Sequence, residues 1–397
     1  MNPIIITLYL AIIFIGLIIF LLIEQLRHHH YLKQIPIRIH VNGTRGKSSV
    51  TRLIAAGLRA GGIRTAAKTT GTLAQFIDPM GNEEPIYRIG HTNVLEQLNV
   101  IKKSALLKTE ALVIECMAVQ PLLQSLCEHK IVQSTHGVLC NARVDHLDVM
   151  GPTETDVALA LAGTMTYNGE FHTAERKHLS IFKMAAKDRS SKLIAISENQ
   201  AQSIPDKDMT PFQYNEFKDN VALALSVCDS LGVPRDTALQ GMWDATPDPG
   251  ALTAYTLTHN GVKITFANGF AANDPESTEA LWHKMLAQHP HCDYTVVIAN
   301  TRGDRKHRTL QFIESYKNWP QPNDCIMVGS GTKTLELAIK KTLPQANTTS
   351  ASSWGVKEIL DHISLQAENK RAVLIVGVCN IANIGMEIVD YFREHRE

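Results

Sequence analysis

Seven residues, Gly43-Thr-Arg-Gly-Lys-Ser-Ser49, lie between a β-like run, Ile35 to Val41, and an amphipathic run, Ser48 to Ala60, and few folds accept that order. In the second run Val50, Leu53, Ile54 and Leu58 recur at helical spacing. Strand, glycine loop and helix start make a cradle for nucleotide phosphate. The glycines let backbone N–H groups converge on an anion, the helix N-terminus adds its positive dipole end, and Lys47 adds a full charge. Ser48 is then placed to ligate Mg²⁺. Gly43, Thr44, Arg45, Gly46, Lys47, Ser48 and Ser49 are the expected ATP-binding loop. The usual spacing has a further glycine where this chain has Val41, so the loop is a shortened variant, and a plain glycine turn is the competing reading.

Upstream, Pro3 to Ile23 is a charge-free apolar run, and crossing a bilayer takes about 20 helical residues. A cleavable signal peptide competes, but no basic segment precedes the run and no small-x-small site stands before Glu24. The expectation is a single-pass anchor in the cell membrane. Arg27, Lys33 and Arg38 follow it, which places the rest of the chain in the cytosol by the positive-inside rule. His28-His29-His30 point in different directions on a helix, and they are read as a solvated juxtamembrane run rather than a metal site.

Lys plus Arg and Asp plus Glu both number 39, and no long basic stretch marks a nucleic-acid surface, so no nucleic acid is expected as partner. Seven cysteines without a Cys-x-x-Cys pair argue for a reducing compartment and against a zinc site. Cys127, Cys140, Cys228, Cys325 and Cys379 are expected to be core or near-core thiols.

Apolar β-like runs at 111–114, 137–140 and 193–196 alternate with amphipathic segments, and the pattern resumes at 262–266, 294–299, 325–328 and 372–376. This predicts an α/β chain with parallel sheets. The turn-rich Ala245-Thr-Pro-Asp-Pro-Gly250 reads as a hinge. The expected division is an anchor at 1–24, a juxtamembrane linker at 25–34, a central P-loop ATP-binding domain at 35–245, a hinge at 246–252 and a smaller Rossmann-like domain at 253–397. Gly377 to Gly385 reads as a strand-to-helix turn rather than a dinucleotide site.

Polar groups cluster where these strands end, and in open α/β sheets ligands gather there. Glu115 can reach a metal ion held by the phosphate loop. His146, in Asn141-Ala-Arg-Val-Asp-His-Leu-Asp148, can bind a second ion with Asp145 or Asp148 steering it, against a plain capped turn. Lys68-Thr-Thr-Gly-Thr72 can face the phosphates or the acceptor, with Thr-Gly-Thr as an ordinary turn the competing reading. Asn268 and Asn273 suit an adenine edge, and Arg302, Asp304 and Arg305, with Arg308 beyond, offer charge to phosphate. Lys68, Thr69, Arg88 and Asn93 are substrate candidates because they follow the phosphate loop.

Together the glycine loop, the strand-end Glu115, Asn-x-x-x-Asp-His-x-Asp and the Asn-rich and Gly-Asp-Arg segments resemble the Mur ligase superfamily over nearly the whole soluble chain. Glu115 to Val119, Asp145 to Thr153, Pro247 to Ala251 and Asn268 to Asp274, behind an anchor, look more narrowly like the ligase subunits of poly-γ-glutamate (capsule) synthases. The resemblance implies an ADP-forming γ-glutamyl amide ligase working through an acyl phosphate, with ATP and one or two Mg²⁺ ions. It implies Lys47, Glu115 and His146 as catalytic residues, and Ser48, Glu115 and His146 as metal ligands. Asn273, Arg302, Asp304 and Arg305 would grip the nucleotide from a C-terminal domain that closes on it. Asn220 matches a further family position. The implied partners are glutamate, the growing polymer, small integral-membrane and accessory export subunits and, in some arrangements, a second copy of the chain.

Many superfamily members carry a carbamylated lysine on the helix after the Asp-His motif, but here that helix, Thr155 to Thr164, has no lysine. Asp145, Lys177 or water would then complete the second metal site. The family's N-terminal substrate domain is also replaced by the anchor. The rival readings are a ligase of the same chemistry for another amino acid or a cell-wall precursor, and a membrane-anchored transport ATPase.

Overall fold

The computed structural model describes residues 3–71, 74–88, 93–212, 214, 216–248, 253–270, 275–301, 313, 316–368, 370 and 372–397. Pro3–Lys33 is one helix, exposed along its apolar length, with a mean hydropathy of 3.1 in its most apolar window. By length and composition it suffices to cross a membrane. Residues 25–33, expected as a linker, continue that helix. No glycine or proline interrupts them, Glu24 and Arg27 pair at 2.9 Å, and the stop comes only as Pro36 disfavours helix at Ile35.

The base of this helix is docked. Leu32 and Ile35 are buried with Val100, Ile101, Ile131 and Val132, and Tyr31 packs against the same cluster. His28, expected to be solvated, is half-buried, with Nε2 2.9 Å from the Ile131 carbonyl oxygen. Arg38 donates to the carbonyls of Ile35 (2.7 Å) and Gln133 (2.9 Å), tying the helix exit to the domain.

The chain forms two compact units, residues 1–211 with 217–246, and residues 212–216 with 247–397. The division falls between Thr246 and Pro247, with 212–216 in the second unit. In the first unit the described strands are β1 (Ile37–Asn42), β2 (Thr65–Thr69), β3 (Gln75–Ile77), β4 (Glu83–Pro85), β5 (Ala111–Glu115), β6 (His136–Leu139), β7 (Glu170–Thr173) and β8 (Lys192–Ala195), in the order β4-β3-β2-β5-β1-β6-β7-β8. From β2 to β8 the neighbours are parallel, while β3 and β4 add an antiparallel edge. Lys68 and Thr69 lie in the buried strand β2, and Thr70 and Gly71 follow it. The helix Lys47–Ala60 packs Val50, Leu53, Ile54 and Leu58 inward, with all four fully buried.

The second unit holds β9 (Ala254–His259), β10 (Val262–Asn268), β11 (Tyr294–Thr301), β12 (Asp324–Gly329), β13 (Asn347–Ser350) and β14 (Ala372–Val378), in the order β13-β12-β11-β14-β10-β9, with only β9 antiparallel among them. Ile359, Ile363, Ile388 and Phe392 pack on one face, and Trp282, Met285 and Ile339 on the other. The last strand gives way to the helix Ile384–Glu394, as its Gly377–Gly385 turn predicts. All seven cysteines are free thiols, and every one but Cys292 is buried.

Candidate active site

Strand β1 delivers the glycine loop to the carboxyl edge of the sheet. Gly43 (φ 137°) and Gly46 (φ 83°) adopt left-handed backbone that favours glycine, and a Cβ on Gly46 would stand 2.9 Å from Asn220 Oδ1. Asn42 Oδ1 accepts from the Gly43 N–H at 2.8 Å. The neighbouring strand end latches the loop. Asn141 Oδ1 accepts from the Thr44 hydroxyl (2.7 Å) and the Arg45 N–H (3.1 Å), while its amide donates to the Arg45 carbonyl (3.1 Å). Lys47 Nζ lies folded over the loop, donating to the Gly43 carbonyl at 2.6 Å.

Ser48 opens toward β5. Its hydroxyl donates to Glu115 Oε2 at 2.8 Å, and the Thr70 N–H donates to the same oxygen at 2.7 Å. Glu115 is buried at 2% exposure, and β5 sits directly beside β1 in parallel register, with Val41 opposite Glu115. A hydroxyl and a carboxylate from adjacent strand ends thus meet at the start of one helix.

His146 also lies past a strand end, in left-handed backbone (φ 48°) ahead of the turn Leu147–Met150, with Nε2 3.8 Å from Asp145 Oδ1. Asp145 in turn pairs with Arg45 at 3.5 Å, so the Asp-His segment is tied to the phosphate loop. Lys177 ion-pairs with Glu154 at the start of the helix Glu154–Ala162.

The substrate candidates form a second constellation. Lys68, fully buried, pairs with Glu96 at 2.9 Å, and Glu96 also takes Arg88 bidentately at 2.6 and 3.1 Å. Burial pulls the Lys68 pKa down against the support of Glu96 and Glu115. Arg88, Asn93 and Glu96 line a cleft of about 400 Å³ with Phe76, Tyr87 and Lys103. Thr69 lies buried in β2 beside Lys68 and outside that lining.

The Mur ligase middle domain family matches residues 41–241, and the poly-γ-glutamate synthase CapB C-terminal domain family matches 254–395. The capsule biosynthesis protein CapB of Bacillus anthracis is 37% identical over 96% of this chain and 81% of its own length. The PGA synthase CapB of Bacillus subtilis strain 168 is 34% identical over 94% and 95%. The chain belongs to the Mur ligase family, in its CapB branch. A Yersinia pestis bifunctional folylpolyglutamate synthase/dihydrofolate synthase, complexed with AMPPNP and Mn, shares the fold at a TM-score of 0.67 and 15% identity, covering 93% of this chain and 90% of that one. As a Mur ligase family member the chain is an ATP-dependent amide ligase.

The donor set fits the divalent ion that Mur ligase chemistry requires. Ser48 and Glu115 offer hard oxygens within 2.8 Å of each other, which suits Mg²⁺. Among the described residues no three His, Cys, Asp or Glu side chains converge on a metal position, and Mg²⁺ draws much of its shell from phosphate and water instead.

Asn268 is buried at the end of β10. Asn273, Arg302, Asp304, Arg305 and Arg308 lie outside the described residues, as does Thr72. Sequence reasoning missed the Asn141 latch and Glu175. The buried Glu175 accepts from the Ala142 N–H at 2.8 Å and the His178 N–H at 2.9 Å, holding the segment that leads to His146. Glu175 follows β7, a strand not recognised in the sequence, so no strand-end signal pointed to it.

Proposed function

We propose that the chain is the membrane-tethered ligase of a poly-γ-glutamate synthase, joining glutamate by ATP-driven γ-amide bonds at the cytosolic face. The observation that carries this reading is the Ser48–Glu115 contact inside a phosphate loop, in a chain whose relatives bear the names CapB and PGA synthase. A free carboxylate is a poor electrophile. ATP would transfer its γ-phosphoryl group to the carboxylate, releasing ADP. The amine of the next glutamate would then attack the acyl phosphate, expelling phosphate and losing a proton.

The residues divide this work. Loop N–H groups from Gly43 to Ser49 hold the β- and γ-phosphates, and Lys47 leaves the Gly43 carbonyl to offset charge on the transferring group. Ser48 and Glu115 hold Mg²⁺, which supplies Lewis-acid stabilisation of the phosphoryl oxygens when bound. His146 with Asp145 would serve a second ion. Lys68, Thr69, Arg88 and Asn93 orient substrate carboxylates. Asn268, Asn273, Arg302, Asp304 and Arg305 are the further residues we assign to the nucleotide. Small integral-membrane subunits would carry the polymer out, and the active assembly can include more than one copy of the chain.

The test is product analysis with ATP, Mg²⁺, glutamate and hydroxylamine. Glutamate-dependent ADP, phosphate and a γ-hydroxamate are expected. AMP would overturn the acyl-phosphate route, and ADP release indifferent to amino acid would favour a transport ATPase.

A further inference from the structure

The sheet of the first unit has a polarity that the anchor exploits. Because β1, β2, β5, β6, β7 and β8 are mutually parallel, their first residues share one edge, and the phosphate loop and Glu115 leave by the other. The helix Pro3–Lys33 enters at the starting edge, ending four residues before Ile37.

The depth of that entry can be measured along the helix. His28 lies five residues past Ile23, the end of the apolar run, which is about 7.5 Å of helix rise. Helical side chains lean toward the N-terminus, so the His28 contact with the Ile131 carbonyl is no farther than this from the apolar run. The headgroup layer on each side of a bilayer is itself roughly 5–8 Å thick. In a bilayer that holds the apolar run, Ile131 and the π-helical turn Cys127–Val132 that carries it would stand at headgroup level.

The same edge is basic. Lys33, Arg64, Lys108, Lys130, Lys187 and Lys192 are all exposed there, at strand starts and helix ends. Its acidic groups are fewer. Glu110 accepts the Arg64 N–H at 2.9 Å, Glu170 pairs with Lys192 at 2.8 Å, Asp188 and Asp229 are exposed, and Asp78 is half-buried at the turn after β3. Cations at helix C-termini complement the dipole in any protein, which explains a lysine at each helix end. It does not explain why the apolar helix lands on that edge.

We propose that the strand-starting edge of the first unit rests on the bilayer, its lysines and arginine against anionic lipid headgroups. This rests on the reading of Pro3–Lys33 as a membrane helix. Seating would fix the carboxyl edge, with its phosphate loop, facing away from the membrane. Exposed lysines near an anionic surface are attracted within a Debye length, so the contact weakens with salt.

The test uses the full chain in phosphatidylcholine vesicles containing phosphatidylglycerol and a trace of nickel-chelating lipid. In a Cys292→Ser background, a spin label is attached at Lys130→Cys or, on the opposite edge just past β8, at Asn199→Cys. Headgroup nickel is expected to relax the label at 130 several-fold more than the label at 199. Adding Lys108→Glu and Lys187→Glu should shrink that contrast in vesicles with phosphatidylglycerol and leave it unchanged without. Equal relaxation of the two labels, in chain that stays with the vesicles through an alkaline carbonate wash, would overturn the seating alone. Release by the wash would overturn the membrane reading and the seating with it.

Discussion

The Ser48 hydroxyl donates a 2.8 Å hydrogen bond to the Glu115 carboxylate, joining the loop after β1 to the end of β5. The bond exists because the two strands are parallel neighbours in a register that sets Glu115 beside Val41. Replacing Glu115 by Gln keeps the shape and removes the charge a divalent ion needs. Turnover should fall about 100-fold to 1,000-fold, as for loss of one preorganised electrostatic contact. A Mg²⁺ titration of ADP release should show a raised midpoint, and an unchanged midpoint would count against Glu115 as a ligand.

Lys47→Ala should abolish turnover while leaving circular dichroism unchanged. Its ammonium is tied only to the loop carbonyls of Gly43 and Thr44 among the contacts described, so little of the fold depends on it. Wild-type-like ADP release from this variant would refute the phosphate-loop assignment.

Gly46→Ala would meet both a left-handed backbone at φ 83° and the Asn220 Oδ1 at 2.9 Å. Non-glycine residues pay about 1–2 kcal/mol for that backbone before any clash. Weaker nucleotide binding, read by calorimetry, and a lower Tm are expected. Adding Asn220→Ala to Gly46→Ala removes the clash but not the backbone strain, so it should restore binding only in part.

His40 and Glu128 form a buried pair at 2.8 Å, with Ser134 donating to the other Glu128 oxygen by N–H (2.9 Å) and O–H (2.7 Å). Burial opposes charge on His40, yet Cys116 and Glu128 outweigh it and raise the pKa to about 10. Burial also opposes charge on Glu128, whose pKa is nevertheless lowered by the His40 and Ser134 hydrogen bonds. The raised His40 pKa gives stability that is fully present below its unfolded value and lost as pH rises through about 10. The lowered Glu128 pKa gives stability present above its unfolded value and lost in acid. Glu128→Gln should cost about 3–5 kcal/mol near neutrality by stranding His40, and thermal melts of the variant should lose the alkaline decline.

Lys68 is fully buried, and its ion pair with Glu96 leads out to Arg88 in the cleft. Glu96→Gln should lower Tm by leaving a buried ammonium without its carboxylate. Lys68→Met removes that charge and should recover much of the lost stability when added to Glu96→Gln. If Lys68 and Arg88 also orient substrate carboxylates, Lys68→Met and Arg88→Ala will raise the glutamate KM with ATP affinity unchanged. A KM left at the wild-type value would make the constellation purely structural.

Most of the main elements were legible because their cores are regular. The runs at 111–114, 262–266 and 372–376 are buried strands only one to two residues longer than expected. Strand β2 escaped notice because Thr65-Ala-Ala-Lys-Thr69 is weakly apolar and contains a lysine, and its burial depends on β5 alongside. The glycine loop between β1 and its helix could be read from seven residues because its sequence signal is local. The Asn141 latch joins residues 96 and 97 positions apart, and the Lys68–Glu96–Arg88 network spans three elements, so neither leaves a pattern within a sequence window.

Strand β1 begins four residues after the helix Pro3–Lys33 ends and delivers the glycine loop at its other end. Six residues at about 3.3 Å each separate the apolar helix from the glycine loop by roughly 20 Å. A polymer elongated there would start its journey in solution, on the flank far from any bilayer holding the helix. Its conduit would have to reach up the side of the enzyme and collect the thread, rather than wait as a pore beneath it.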